Sequence, residues 1–159
     1  MSPREQIEQD FKDAFKERRT DELSTLKMLK AALQNKEKEK QFLANKKENG
    51  AATAVLNDEE IVDVVSVEIK KLRDSITMFK QGGRDDLIEA AQKEIQTLLR
   101  YLPKQLTENE IKELAISAIQ EIGASNIKDM GKVMALLAPK TKGRADNNLV
   151  SQIVKNLLS

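Results

Sequence analysis

The amino-acid sequence predicts an all-α protein, and two features of its 159 residues support that prediction. Apolar residues recur at the three- and four-residue spacing of amphipathic helices, whereas runs that alternate between apolar and polar residues, as strands do, are rare. Glycine and proline, with 6 and 3 copies, are scarce and stand mostly where one helical pattern gives way to the next. The order of these patterns predicts four helices in two hairpins, followed by a compact unit of three helices.

The first hairpin begins close to the N-terminus. Ser2 is predicted to cap the first helix and Pro3 to occupy its first position, because a serine hydroxyl accepts backbone hydrogen bonds there and proline suits the first turn. The helix is predicted to end near Arg18–Arg19, since cations favour a helix C-terminus. Thr20 is predicted to cap the second helix, whose apolar stripe continues as far as Leu33.

A charged continuation of the second helix follows the apolar stripe. The alternating lysines and glutamates of Lys36–Lys40 are typical of a solvated helix face. Phe42 and Leu43 are predicted to be the last residues that anchor this extension to the core. Beyond them, residues 45–57 are predicted to form a loop, because Asn49-Gly50 is a strong turn signal.

The second hairpin has equally clear boundaries. Asn57 or Asp58 is predicted to cap the third helix, which has acidic residues in its first turn. Gly82–Gly83 is predicted to end that helix, because glycine readily adopts the left-handed conformation of a helix C-terminus. Asp85–Asp86 then begin the fourth helix.

Leu102–Pro103 is the predicted boundary between an N-terminal helical domain, 1–102, and a C-terminal three-helix domain, 103–159. Directly after it, Thr107–Glu110 has the sequence of a capping box, in which threonine and the glutamate three positions later exchange hydrogen bonds with the backbone. This pattern predicts the start of a fifth helix. Gly123 is predicted to end it.

The segment Asp129–Asp146 carries the most informative motif of the chain. A helix is predicted from Asp129 to Leu137, and Pro139 is predicted to stop it, because proline lacks a backbone N–H and restricts the residue before it. Asp146 is predicted to cap the last helix, Asn147–Leu158. Between the two helices the sequence predicts a turn that presents cations around a glycine: Lys140, Lys142, Gly143 and Arg144.

Two features of this segment have alternative explanations. Gly131 lies inside the predicted helix, where glycine costs about 0.5–1 kcal/mol relative to alanine. Close packing against a neighbouring helix is favoured over approach of the backbone to a partner. The cations of the turn are either a solvated surface or a contact for an anionic partner.

Composition excludes several classes of function. The net charge is +1, which argues against bulk electrostatic binding of nucleic acid, although the residues from Asn126 onward carry +4 and the rest −3. No apolar run has the roughly 18–20 residues of a transmembrane helix. The N-terminus does not have the pattern of a signal peptide. These observations predict a cytoplasmic protein without a membrane partner.

The residues needed for common catalytic chemistry are missing. The chain has no cysteine and no histidine, so thiolate nucleophiles, zinc sites and the usual general base are absent. Gly131-Lys132 lacks the earlier glycine of a phosphate-binding loop. Two acidic clusters, Asp58–Glu60 and Asp85–Asp86, are better explained as first-turn acids than as magnesium ligands. We therefore predict no catalytic residue, no metal and no cofactor.

Several motifs resemble those of a known family. The runs DMGKVM and KTKGRAD, followed by the terminal amphipathic pattern LVSQIVKNLL, resemble the GatB/YqeY family, and YLPKQLTENEI and EIGASNIKDMGK extend the similarity upstream. This family joins the tail domain of the B subunit of tRNA-dependent amidotransferases with small free-standing proteins of about this length. The combination of the first two motifs is specific, and the similarity extends more loosely into the N-terminal half.

The resemblance implies a function. In the amidotransferases the tail domain lies away from the catalytic centres and helps to hold tRNA, so this chain is expected to be a non-catalytic accessory protein that binds tRNA or other structured RNA. The residues at the matching positions, which we take as candidates for nucleic-acid binding, are Lys128, Lys132, Lys142, Gly143 and Arg144.

Two alternatives stay open at this point. Free-standing members carry the label of carbon–nitrogen ligases with glutamine as amido-N-donor, so the chain could be one component of such a complex, although it has no residues to activate ATP or glutamine by itself. The other alternative is a protein-interaction adaptor that uses the long second helix and the loop at 45–57. The sequence does not give the oligomeric state or the identity of the partner.

Overall fold

The computed structural model describes residues 1–46 and 54–159. No strand occurs within these ranges, so the prediction of an all-α protein is confirmed. The turn predicted at Asn49-Gly50 lies outside the described residues. The helices of the described ranges, including one short 3₁₀-helix before α6, are α1 (Pro3–Lys16), α2 (Thr20–Lys46), α3 (Asp58–Gln81), α4 (Asp85–Leu99), α5 (Glu108–Ile122), the 3₁₀-helix (Ile127–Asp129), α6 (Met130–Thr141) and α7 (Asn147–Leu158).

The chain divides into two compact units, Met1–Leu102 and Pro103–Ser159, here called unit 1 and unit 2. In unit 1, consecutive helices pack together as α1 with α2 and as α3 with α4, and α2 also contacts α3 and α4. In unit 2, α5, α6 and α7 each contact the other two. Whether these units fold independently, as the predicted domains 1–102 and 103–159 would, stays a prediction.

Capping boxes begin three of the helices. The Ser2, Asn57 and Thr107 side chains accept hydrogen bonds from backbone N–H groups in the first turns of α1, α3 and α5. A glutamate three positions later accepts a hydrogen bond from the backbone N–H of each capping residue. Two otherwise unpaired donors are satisfied at each start, which explains why these helices begin where the sequence indicates.

The first connection of unit 1 differs slightly from the prediction. The helix α1 ends at Lys16, before the predicted Arg18–Arg19, and Arg18 has a left-handed backbone with φ of 56°. The N–H of Arg19 donates to the carbonyl of Ala14 at 3.0 Å. The same hydrogen bond closes helices that end at a left-handed glycine. Thr20 is the first residue of α2 and not its cap.

The core of unit 1 is formed by the inward faces of all four helices and by two residues in the connections. Leu26 and Val65 lie at its centre, with no exposed surface. The buried hydrophobic residues of this cluster are Ile7, Ala14, Leu26, Leu29, Leu33, Leu56, Ile61, Val64, Val65, Ile69, Ile95, Leu98 and Tyr101.

The prediction that Phe42 and Leu43 anchor the end of α2 is wrong. Their exposed fractions are 60% and 52%. With 27 residues α2 is about 40 Å long, whereas α1 has 14 residues and spans about half of that, so α1 cannot cover the end of α2. The ring of Phe42 is instead covered in part by the ammonium group of Lys46, 4.7 Å from the ring centre.

Unit 2 has a separate hydrophobic core. Its completely buried side chains include Ile111 on α5, Leu137 on α6 and Val154 on α7. The full buried set is Ile111, Ala115, Ala118, Val133, Leu137, Val150, Ile153, Val154 and Leu158.

The prediction that Pro139 stops a helix at Leu137 is also wrong, because α6 continues to Thr141. Proline removes its own N–H bond, but the bonds that follow it do not depend on that group. The N–H of Lys142 donates to the carbonyl of Ala138 at 3.0 Å, and the Thr141 hydroxyl donates to the carbonyl of Leu137 at 3.1 Å. Lys140 therefore lies in the helix and not in the following turn.

Candidate functional site

The turn between α6 and α7 brings together three of the five candidate residues. Lys142, Gly143 and Arg144, here called the basic turn, connect the two helices, and Asp146 caps α7 by accepting from the N–H of Asn148 at 3.1 Å. Gly143 has a φ of 70°, a left-handed conformation that favours glycine. Lys142 is exposed and Arg144 is half-buried.

The basic turn is held by the segment that precedes α5. The N–H of Leu106 donates to the carbonyl of Arg144 at 2.8 Å. The side-chain amide of Gln105 donates to the carbonyl of Gly143 at 2.8 Å. Arg144 returns a bond from Nε to the carbonyl of Lys104 at 3.3 Å. Both the backbone and the side chain of this turn are therefore fixed in place by a neighbouring segment of unit 2.

The cations around the turn act on a nearby acid, Glu110. The pKa of Glu110 lies below its ordinary value, first because its carboxylate accepts from the backbone of Thr107 in the capping box. The positive charges of Lys104 and Arg144 lower it further. Both cations are therefore within electrostatic range of the first turn of α5.

The two other candidate residues, Lys128 and Lys132, lie at the start of α6. Lys128 is in the 3₁₀-helix and Lys132 is in the first turn of α6, and both are exposed. Whether all five residues form one surface stays a prediction.

Gly131 lies between these two lysines and does not have the role that we favoured. A side-chain carbon built at this position would meet no atom within 4 Å, so close helix packing does not explain the glycine. The backbone here is exposed to solvent. Of the two explanations, approach to a partner is the one that fits an open surface.

Sequence reasoning missed two residues of this region, Lys104 and Gln105. They belong to the YLPKQLTENEI run that resembles the family, but nothing in their local pattern shows that they lie beside residues about 40 positions later. A polar side chain that follows proline in a segment too short for a helix gives only a weak indication of a hydrogen bond to another loop.

One acidic residue of each cluster considered for magnesium has a structural role. Glu60 completes the capping box of α3 and pairs with Lys40 at 2.8 Å. Asp86, in the first turn of α4, pairs at 3.2 Å with Arg84, which precedes the helix. Among the residues that the structure describes, no three histidine, cysteine or acidic side chains come together as metal ligands.

A groove of about 670 Å³ lies between α2 and α3 on the surface of unit 1. Met28 and Val67 line it and are more than half exposed, at 55% and 52%. Charged residues surround them, including Lys36, Glu39 and the ion pair of Glu68 with Lys71. The α2 side of this groove belongs to the long second helix that the adaptor alternative would use. No helix in the described part of the chain has the length and hydropathy needed to span a membrane.

The fold and the site together define an all-α protein whose C-terminal three-helix unit presents a fixed basic turn. Comparison with known families supports a narrower assignment, because the family of Yqey-like proteins matches residues 4–158. The chain belongs to the YqeY-like family. This confirms the family resemblance noted in the motifs of the sequence.

Two curated proteins illustrate the range of similarity. Altered inheritance of mitochondria protein 41, mitochondrial, of Pyrenophora tritici-repentis is 26% identical over 155 residues, which cover 96% of this chain and 78% of that protein. Uncharacterized protein C22F3.15 of Schizosaccharomyces pombe is 32% identical over 92 residues, 58% of this chain and 65% of its own length.

Proposed function

We propose that the chain is a non-catalytic accessory protein that binds structured RNA, with tRNA as the first candidate, through the basic turn. The observation that carries this proposal is the way the turn is held. Two hydrogen bonds to its carbonyls, from Leu106 and Gln105, fix a backbone that presents Lys142 and Arg144 at the surface. The choice of tRNA rests on the family resemblance.

The chemistry of the turn suits phosphate. An arginine can donate two parallel hydrogen bonds to one phosphate, and a lysine adds a strong point charge beside it. Such contacts position a protein on a nucleic acid but read little sequence. Because only a few phosphates would be contacted, binding would be weak and sensitive to salt, which suits an accessory protein.

Binding of the purified 159-residue chain to a bulk tRNA pool, followed by fluorescence anisotropy across a salt series, tests the proposal. Wild-type protein is expected to bind with a negative salt slope. The double variant Lys142→Ala/Arg144→Ala is expected to bind more weakly, with a slope shallower by about 1.5, since each lost phosphate contact removes about 0.7–0.9 from it.

Lys155→Ala is the matched control. It removes one exposed lysine of unit 2 from the last turn of α7, about 12 Å along the helix from its start. A loss of binding free energy half as large as that of the double turn variant would mean that net charge, and not the turn, determines binding. Absence of saturable binding by the wild-type chain at low salt would refute the proposal.

The compartment and the larger assembly are separate parts of the proposal. We predict a cytoplasmic location from the sequence, while the name of the Pyrenophora relative assigns that protein to mitochondria. Microscopy of a C-terminally tagged chain would decide between them. Membership of an amidotransferase complex stays a prediction, and so does an adaptor role through the long second helix and the loop at 45–57.

A further inference from the structure

We propose that Lys104 is a further cation of the RNA-binding site and that Gln105 is a positioning residue for the basic turn. This inference rests on the proposed function and adds to it two residues that lie about 40 positions earlier in the chain. It therefore enlarges the site from a single turn to two neighbouring segments of unit 2.

The first argument is the close approach of the two segments. Arg144 contacts the segment twice, through its carbonyl to the N–H of Leu106 at 2.8 Å and through its Nε to the carbonyl of Lys104 at 3.3 Å. A side chain that starts at Lys104 therefore starts next to the guanidinium of Arg144. Lys104 is exposed, so its ammonium group is available to a ligand at the same surface.

The second argument is electrostatic. The charges of Lys104 and Arg144 both act on the carboxylate of Glu110, although the hydrogen bond from the backbone of Thr107 has the larger effect on that acid. Two cations that act on one carboxylate create a local excess of positive charge. A phosphate placed between them would interact with both.

The third argument concerns the donors of Arg144. Its Nε is used in the bond to Lys104. Within residues 1–46 and 54–159, no hydrogen bond or ion pair from its two terminal nitrogens is present, so these donors remain for a ligand. The bond at Nε also fixes the plane of the guanidinium, which reduces the loss of freedom when a phosphate binds.

Gln105 has a different role because it carries no charge. Its side-chain amide donates to the carbonyl of Pro103 at 3.0 Å and to that of Gly143 at 2.8 Å. It thus connects the start of unit 2 to the left-handed glycine of the turn. Removing this amide would leave every cation in the chain. It would, however, release the carbonyl of Gly143, the residue that sets the spacing of Lys142 and Arg144.

The test uses the whole 159-residue chain, the tRNA pool and the same salt series. Lys104→Ala is expected to lower affinity about threefold to tenfold at low salt and to make the salt slope shallower by about 0.7–0.9, as loss of one phosphate contact requires. Gln105→Ala is expected to lower affinity by a similar factor while the slope stays at the wild-type value. Lys155→Ala again serves as the control.

Each outcome separates this inference from the proposed function. If the wild type binds and the double turn variant does not, but Lys104→Ala behaves like Lys155→Ala, the site is confined to the turn and the role of Lys104 is refuted. If Gln105→Ala lowers the melting temperature but has the wild-type affinity when binding is measured far below that temperature, Gln105 is structural and its positioning role is refuted. Failure of the wild type to bind refutes both proposals together.

Discussion

The hydroxyl of Tyr101 donates a hydrogen bond to a carboxylate oxygen of Asp10 at 2.6 Å, which joins residues 91 positions apart. Tyr101 lies just beyond Arg100, the C-cap of α4, and is 4% exposed, while Asp10 lies on α1. The bond therefore joins the first helix of unit 1 to the last residues before Pro103. Burial raises the pKa of the tyrosine hydroxyl, and its bond to the carboxylate raises it further, so the group stays a donor at all physiological pH values.

Tyr101→Phe is expected to lower the free energy of unfolding of unit 1 by about 1.5 kcal/mol, because it removes a hydrogen bond to a charged acceptor while keeping the buried ring. Urea denaturation followed by circular dichroism would measure the loss. Asp10→Ala, which removes the acceptor, and the double variant complete the cycle. Additive effects of the two substitutions would show that the bond contributes nothing to stability.

Glu22 is expected to make unit 1 sensitive to acid. Burial raises the pKa of its carboxyl, but hydrogen bonds from Arg100, at 2.6 Å, and from Arg19 outweigh burial and bring the pKa below its ordinary value of 4.5. The folded state therefore favours the ionised form, and its contribution to stability is complete above about pH 4.5 and lost as the pH falls through the lowered pKa.

Urea titrations between pH 7 and about pH 3 would measure this effect through the fluorescence of Tyr101, the single tyrosine of a chain without tryptophan. Glu22→Gln is expected to be less stable than the wild type at pH 7, and the difference should shrink as the pH falls. Glu89→Gln, in an exposed pair with Lys93, is the control and should match the wild type throughout. A constant difference between Glu22→Gln and wild type at every pH would contradict the prediction.

Two glycines of unit 2 should respond to alanine in opposite ways. Gly143→Ala is expected to destabilise unit 2 by about 1–2 kcal/mol, since a left-handed backbone is unfavourable for alanine. Gly131→Ala is expected to stabilise it by about 0.5–1 kcal/mol, because Gly131 lies in α6 with open space around it. Thermal denaturation of both variants provides the comparison.

The same pair of variants separates stability from binding. If the open backbone at Gly131 approaches RNA, Gly131→Ala should weaken tRNA binding although it stabilises the fold. Destabilisation by Gly131→Ala would instead restore the close-packing explanation that the open space around this residue argues against.

Residues 103–159 are expected to fold without the rest of the chain. Their core consists of side chains from α5, α6 and α7, and the bonds from Leu106 and Gln105 to the basic turn lie within the same fragment. A fragment of this size is small enough to be only marginally stable, so a melting temperature below that of the full chain is expected. Circular dichroism of the purified fragment measures it; a spectrum without helix would contradict the prediction.

The local signals of the sequence predicted most of the fold. Ser2, Asn57, Thr107 and Asp146 cap the helices that they were expected to cap, because a cap depends on residues within one turn of it. The errors at Phe42, Pro139 and Gly131 have a different origin. Burial at Phe42 and the space around Gly131 depend on elements distant in sequence, and Pro139 lies in a last turn whose remaining hydrogen bonds do not need its nitrogen.

The candidate site was only partly accessible to sequence reasoning for the same reason. The turn at Lys142–Arg144 is local and was predicted in place, except that Lys140 belongs to α6. The support from Lys104 and Gln105 crosses about 40 residues of chain, and one sequence contains no information on that pairing.

The capping boxes of α1, α3 and α5 have a consequence for the order of folding. Each of these helices carries its start signal within four residues, so it can begin to form before distant contacts exist. Arg84, in front of α4, makes no side-chain capping bond, and neither does Asp129 in front of α6. We therefore expect α3 to form before α4 and α5 before α6, with each earlier helix providing the surface on which the later one packs. Because α3 and α5 also come first in the chain, synthesis from the N-terminus would produce them in the same order.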